Sequence, residues 1–333
     1  MSFDVKDVRV AMVLEDASPR VQQVLAGLRG STYMEPRWAG SMPEAEQWLR
    51  RHEVEAILRV PSDFSGRLQT GDATVQLVVN GSESTSAATI ESYVNGVLAL
   101  WAQKEVDRAG PAGQTLAAGS VQVQQRLWFN EAGESTWFLV PGLLVLVLTL
   151  IGAFLTSLLI AREWERGTME SLFVTPVRPL EIVLAKLIPY VGVGLVDLAM
   201  CLLAAHFLFE VPMRGSLGMM VLGGTLYLVV SLLMGLFISG RTRNQFQASQ
   251  VALLGSLLPS MMLSGFIFDL RNAPALVQVI GHLLPATHFM GLTKSLFLMG
   301  NHWPTIVQDL GILLLYAVLL LWATLRTVRK RLD

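Results

Sequence analysis

Apolar residues follow two different rhythms along this chain, and the change comes near residue 136. Before it they form short strands and one-sided helices. Val8–Leu14 reads as an apolar strand, and Ser18 followed by Pro19 opens a helix through about Leu28, because proline suits the first helical position. Residues 43–52 predict a short helix and residues 54–60 a strand ended by Pro61. A further strand over 74–79 closes at the Asn80-Gly81 turn signal. From about Ser84 a long helix is expected, since Ile90, Tyr93, Val94, Val97, Leu98 and Trp101 keep the i, i+3, i+4, i+7 spacing of one buried face. Small residues over 114–120 make a loop, and 121–129 a return strand. Together these elements predict an α/β domain over residues 1–136.

Beyond that point the apolar runs become long enough to cross a bilayer, whose hydrocarbon core of about 30 Å takes about 20 residues of helix. Five such spans are expected, over residues 137–161, 182–209, 217–239, 246–268 and 306–325. Residues 275–290 are also apolar but contain His282, Pro285 and His288. They predict a pair of half-helices or a re-entrant segment sheltered by the bundle, where broken backbone can find partners. The expected fold is an α-helical polytopic membrane protein, with five visible transmembrane helices and a re-entrant segment, carrying an N-terminal α/β extracytoplasmic domain.

Composition agrees with two solvents. The chain has 333 residues, 52% hydrophobic and 15% charged, against about 25% charged in soluble domains, and its mean hydropathy is +0.50. Residues 1–136 hold 12 Lys/Arg and 17 Asp/Glu; residues 137–333 hold 13 and 9. No dense basic face exists for nucleic acid, and one cysteine, Cys201, excludes a disulfide scaffold. The basic residues orient the spans. Arg162, Arg166, Arg178, Lys186, Arg241, Arg243, Arg326, Arg329, Lys330 and Arg331 flank one set of connections, against Arg214, Arg271 and Lys294 on the other. That split places the C-terminus in the cytoplasm and residues 1–136 outside. The first residues, Met1-Ser2-Phe3-Asp4-Val5-Lys6, are no export signal. The topology therefore calls for a further transmembrane helix ahead of them.

Residues that carry chemistry are sparse. The sequence contains no phosphate loop, and residues 1–136 hold no H-E-x-x-H, no Cys/His cluster and no nucleophile constellation. Carboxylates of the first half are scattered among basic residues as on a solvated surface. His52 follows Arg50 and Arg51 at a helix end, where a positive charge suits the dipole.

The connection over 162–181 is the most informative segment. It begins as a charged extension of the first span, breaks at Gly167, and restarts with Thr168 as N-cap and Glu170 in the first turn. Met169, Leu172 and Phe173 form a small apolar stripe before Pro176 stops the helix. A short helix with an exposed apolar stripe between two spans suits docking into a partner's groove; a membrane-surface elbow without a partner is the alternative. The run E-W-E-R-G-T-M-E-S-L-F-V-T-P-V-R-P-L-E over 163–181 resembles the first cytoplasmic loop of ABC-2 type transporter permeases, E-x-E-x-G-T-x-E-x-L-x-x-T-P. Similar stretches recur at 127–130, 242–248, 263–268 and 283–289, so the resemblance covers essentially the whole chain.

That resemblance implies a permease subunit of an ATP-binding cassette exporter, with six spans where five are visible here. It implies that Glu163, Glu165, Gly167, Thr168, Met169, Glu170, Leu172, Phe173, Thr175 and Pro176 form the coupling helix and its flanks, meeting a separate ATPase subunit. This chain then holds no cofactor of its own, ATP and Mg being bound by that ATPase. A second permease copy or related permease completes the assembly, and a periplasmic membrane-fusion protein often accompanies such subunits. The setting is a bacterial inner membrane.

Among polar residues within spans, Asp197 lies about 16 Å of helix past Lys186, near the midplane. It is a candidate for the substrate pathway or a permease–permease interface, or a structural acid facing another span. Pro189 and Pro259 are expected to kink their helices as candidate hinges, and Pro259 is also a candidate for the pathway or a permease–permease interface. His206 reads as interfacial, and His282 and His288 as capping or hydrogen-bonding groups, with His288 a second pathway candidate. Gly223, Gly224 and Gly235 offer small surfaces for helix packing. Few charges in the walls favour hydrophobic or amphiphilic cargo such as drugs. The competing reading is a membrane-anchored periplasmic ligand receptor or assembly factor. An ion-coupled carrier fits less well, since it calls for more intramembrane charges or inverted repeats.

Overall fold

A computed structural model of the chain describes residues 8–16, 18, 19, 21, 34–51, 53–70, 72–80, 84–113, 121–128, 135–169, 175–267, 270 and 273–328. The expected helix from Ser18 to Leu28 and the loop over 114–120 fall largely or wholly outside these, as do His52, Glu170, Leu172 and Phe173. Two compact units divide at residues 134 and 135.

The first unit is an α/β sheet of five strands, β1 (Val8–Leu14), β2 (Met34–Ala39), β3 (Ala56–Val60), β4 (Thr74–Asn80) and β5 (Gln122–Trp128), in the order β2-β1-β3-β4-β5. β1 runs parallel to both neighbours, which explains its nearly unbroken apolar sequence: a strand covered on both faces has no polar side. β3 and β4 are antiparallel, with Leu58 opposite Leu77, and β4 and β5 parallel.

Helices α1 (Met42–Arg50), α2 (Phe64–Thr70) and α3 (Ser84–Gly113) cover the sheet. Ala45 and Leu49 of α1 pack on Ala11, Val13, Ile57 and Val78. On the opposite face Ile90, Val94 and Leu98 of α3, with Tyr93, Val97 and Trp101 beside them, pack on Met12, Leu58 and Leu77. The apolar face expected of that helix is the one that is buried. Asp16 links two elements: its carboxylate accepts the Ser18 amide at 2.9 Å and the Ser65 amide at 2.9 Å. The hydrogen bonds to Ser65 and Ser18 hold this carboxyl well below its usual value, at about 2.

The second unit is helical. Five helices are long and apolar enough to cross a membrane: α4 (Thr136–Glu165), α5 (Pro179–Phe207), α6 (Leu217–Thr242), α7 (Gln245–Leu263) and α10 (Trp303–Thr327). Between the last two lie α8 (Ala275–His282) and α9 (Pro285–Met299), bent by 83° at their junction. The broken segment thus extends nine residues past the expected end at 290, because Pro285 restarts a helix that nothing interrupts until Gly300 at φ +92°. α6 is the centre of the bundle, with α4, α5, α7, α9 and α10 packed around it.

Small residues make this packing close. A Cβ on Gly235 would overlap Thr156 Oγ1 and the Ala153 carbonyl of α4, and one on Gly224 would meet Leu198 of α5. Thr156 Oγ1 hydrogen-bonds the Leu232 carbonyl of α6 at 2.9 Å, while Ser239 Oγ accepts the Ile160 and Ala161 amides at 2.9 and 2.8 Å. Tyr227 stacks on Phe289 with centroids 4.4 Å apart. A π-helical stretch, Leu253–Leu257, precedes Pro259 in α7, adding the residue that lets the chain pass a proline with no amide to donate. Pro189 lies inside the continuous α5.

Candidate functional site

Two polar clusters stand out in the helical unit, one at each end, with Asp197 apart from both. The first gathers at the charged end of α4, whose helix runs past the apolar residues through Arg162, Glu163, Trp164 and Glu165. Gly167, at φ +71°, ends it. Glu163 Oε1 receives Lys186 Nζ of α5 at 3.0 Å, a pair partly shielded from water. Glu165 Oε1 accepts the Gln245 amide at 2.8 Å, and its other oxygen receives the Gln245 side-chain amide, so one carboxylate holds the first residue of α7 twice. Arg162 Nε reaches Gln245 Oε1 at 3.3 Å. Arg243 sits at the C-cap of α6 in the left-handed region, φ +55°, and lays its guanidinium 4.3 Å from the Trp164 ring centre. Three helices are tied to the root of the 162–181 connection by these four residues of α4.

Beyond the root, Thr168 donates its hydroxyl back to the Glu163 carbonyl at 3.2 Å and to the Glu163 carboxylate. Thr175 and Pro176 are exposed. Met169 corrects the expected exposed stripe: its side chain is only 1% exposed, inside the chain rather than on the connection's surface. Helical spacing alone cannot tell whether Met169 lies on the surface or folds inward. On the far side Pro179 and Glu181 start α5 in the ordinary way, with Glu181 Oε2 accepting the Arg178 amide at 2.9 Å.

Asp197, in the middle of α5, is half-buried. Cys201 Sγ lies 3.9 Å from its Oδ1, and Oδ2 is buried with no hydrogen-bond partner among the described residues. Neither cluster includes it. His206 is exposed and stacks edge-on against Phe207.

The second cluster surrounds the α8–α9 bend. His288 Nδ1 lies 3.1 Å from Asp309 Oδ1 of α10, and its Nε2 lies 2.9 Å from the His282 carbonyl. Tyr316 of α10 donates to the Leu283 carbonyl at 2.6 Å, and Thr287 to the Gly281 carbonyl at 2.6 Å. The buried Lys294 donates to the Gly265 carbonyl at 2.9 Å and lies 4.6 Å from the Phe138 ring centre. His288 therefore does cap backbone, as its place beside a break suggests. Asp309, Tyr316 and Gln245 escaped the reading of the sequence as site residues, and Lys294 entered it only as a basic residue flanking a span. The signal for Asp309 was the one that singled out Asp197, a lone carboxylate in an apolar span. Gln245 stood inside a recognised stretch, but nothing local marks it as a partner of Glu165. No group of three or more His, Cys, Asp or Glu placed to hold a metal occurs among the described residues.

Known proteins match this chain over most of its length. The family model described as ABC-2 family transporter protein matches residues 1–326. The probable multidrug ABC transporter permease YbhS of Escherichia coli (strain K12) is 37% identical over 100% of this chain and 88% of its own length. The probable multidrug ABC transporter permease YbhR of the same strain is 26% identical, over 92% of this chain and 84% of its own. The linearmycin resistance permease protein LnrN of Bacillus subtilis (strain 168) is 24% identical, over 97% and 88%.

Proposed function

The chain belongs to the ABC-2 family of transporter proteins, a multi-pass membrane permease, and from that premise we propose that it forms the translocation pathway of an ATP-driven exporter. Its cargo is a hydrophobic or amphiphilic compound, in keeping with pathway walls poor in charge and with relatives named for multidrug transport and resistance. The connection over 162–181 meets a separate ATPase subunit, which binds ATP and Mg. Two permease chains, identical or related, pair with the ATPases in a bacterial inner membrane, with a periplasmic membrane-fusion protein as a further partner. The α/β unit lies on the periplasmic side and the C-terminus in the cytoplasm, the orientation favoured by ten basic residues against three.

One observation carries the coupling role: Glu163, Trp164 and Glu165 at the root of the connection each grip a different helix, through Lys186, Arg243 and Gln245. A displacement of the connection by a partner is thereby delivered to α5, α6 and α7 together. Co-expression with the ATPase tests this. Leu172→Asp or Phe173→Asp abolishes co-purification, whereas Glu165→Ala leaves the complex assembled and removes cargo-stimulated ATP hydrolysis. Undiminished co-purification of both Asp variants would sink the docking role. It would favour a receptor or assembly factor, in which the connection is only an elbow. Met169 is unsuitable as a probe, because a charge at a buried position disturbs folding itself.

A further inference from the structure

Three successive carbonyls at the α8–α9 bend each accept a side-chain donor: Gly281 from Thr287, His282 from His288 and Leu283 from Tyr316. A broken helix in an apolar bundle needs such donors, since no water completes its backbone. His288 differs from the other two because it has a second bond to make. A carbonyl can only accept, so the 2.9 Å contact to His282 puts a proton on Nε2. The other ring nitrogen faces Asp309 Oδ1 at 3.1 Å. That contact is a hydrogen bond only if one proton lies between the two atoms, as imidazolium against carboxylate or neutral imidazole against carboxylic acid. Without it, a nitrogen lone pair faces a carboxylate, and both side chains, 13% and 10% exposed, have little water to turn to.

We propose that His288 and Asp309 form a binding site for a single proton that fastens the α8–α9 hairpin to α10. With the proton bound the hairpin is held against the last span; when it is lost to solvent, His288 leaves Asp309 and the two separate. Among the described residues of the helices packed on α9, few other ionisable groups face this end. His282 of α8 is exposed, and Lys294 of α9 is engaged by the Gly265 carbonyl and the Phe138 ring. Outside the helices, His302 stands at the N-cap of α10 with its Nδ1 2.8 Å from Thr305 Oγ1, and Arg214 lies on the segment whose amides bond the end of α9. Tyr316 of α10 donates to Leu283, and Tyr227 of α6 hydrogen-bonds Thr149. α7 has no charged residue, and the charges of α4, α6 and otherwise of α10 stand at the opposite end. The proton site depends on neither the ATPase nor the direction of transport.

Electron-resonance distances in the full chain test it. With Cys201→Ser, nitroxides are attached at Leu276→Cys of α8 and Val307→Cys of α10, both well exposed, and the protein is titrated in lipid nanodiscs from about pH 5 to about pH 10. The expected result is a single short distance at low pH, replaced by a longer and broader distribution as pH rises. Asp309→Asn stays short at every pH, because its amide donates to neutral Nδ1 without a shared proton. His288→Leu gives the long distribution throughout. A distance unmoved by pH in the parent protein would overturn the proposal. So would a pH response preserved in Asp309→Asn, or a short distance retained in His288→Leu.

Discussion

The two units of this chain reach compactness by opposite routes. In the α/β unit large apolar side chains go inward: Met12, Leu58, Leu77 and Ile90 form one cluster, and Ala11, Leu49 and Ile57 another. Among its described residues only Trp38 and Leu100 are large, apolar and exposed. In the helical unit many large apolar side chains point outward, with Phe207 and Leu276 each 74% exposed. Its interior is held by glycines at close approach and by hydroxyls bonded to backbone, Thr156 and Ser239 above all. Water drives the first arrangement by rejecting apolar surface. Lipid supplies no such force between helices, so fit and hydrogen bonding must do the work. Burial thus measures stability in one unit and shape in the other.

The difference can be broken most severely at α6. Gly235→Leu is expected to force α4 away from α6, because the new side chain meets backbone as well as Thr156. Loss of monodisperse protein on size exclusion, with the same change tolerated at the open Gly192, checks it. Next in size, Leu58→Ala leaves a cavity between Met12 and Leu77 and costs about 2–5 kcal/mol, read as a lowered unfolding midpoint of the α/β unit in the full chain. Ser239→Ala removes an acceptor for two amides of α4, yet costs about 0.5–1.7 kcal/mol, the range for polar contacts between membrane helices. A loss as large as that of Leu58→Ala would refute the contrast.

Acid sharpens it from the other side. Asp16 has a folded value of about 2 against an ordinary 3.8, so it contributes stability that is complete above about pH 4. That contribution is lost as pH falls through about 2. Asp16→Asn should flatten the acid limb of the α/β unit's unfolding curve and leave the helical unit's unchanged. The smallest effect belongs to Phe207→Ala, within about 0.5 kcal/mol, since the ring is largely exposed and so is the His206 ring it stacks against. The same truncation at Phe64, buried in the α/β core, is expected to cost about 3–5 kcal/mol.

How far the fold could be read from residues follows the same division. β1, β4 and the buried face of α3 were legible because their apolar spacing is local. β2 was missed: Met-Glu-Pro-Arg-Trp-Ala has neither alternation nor a free amide at Pro36. An edge strand tolerates this, since one side of its backbone needs no partner. α2 was missed for its length of seven residues. At the charged end the recognised motif located Glu163 and Glu165, but their partners Lys186 and Gln245 lie 23 and 80 residues away.

Hydropathy is a sum over neighbouring residues, so the sequence by itself determined where helices long enough to cross a bilayer lie and where the chain changes solvent. Through its motif it also determined the family. Which polar groups meet depends on the rotation and depth of helices distant along the chain. Only the tertiary structure could decide that Met169 turns inward, that Glu165 holds Gln245, and that His288 finds Asp309 while Asp197 meets, among the described residues, no partner but a thiol.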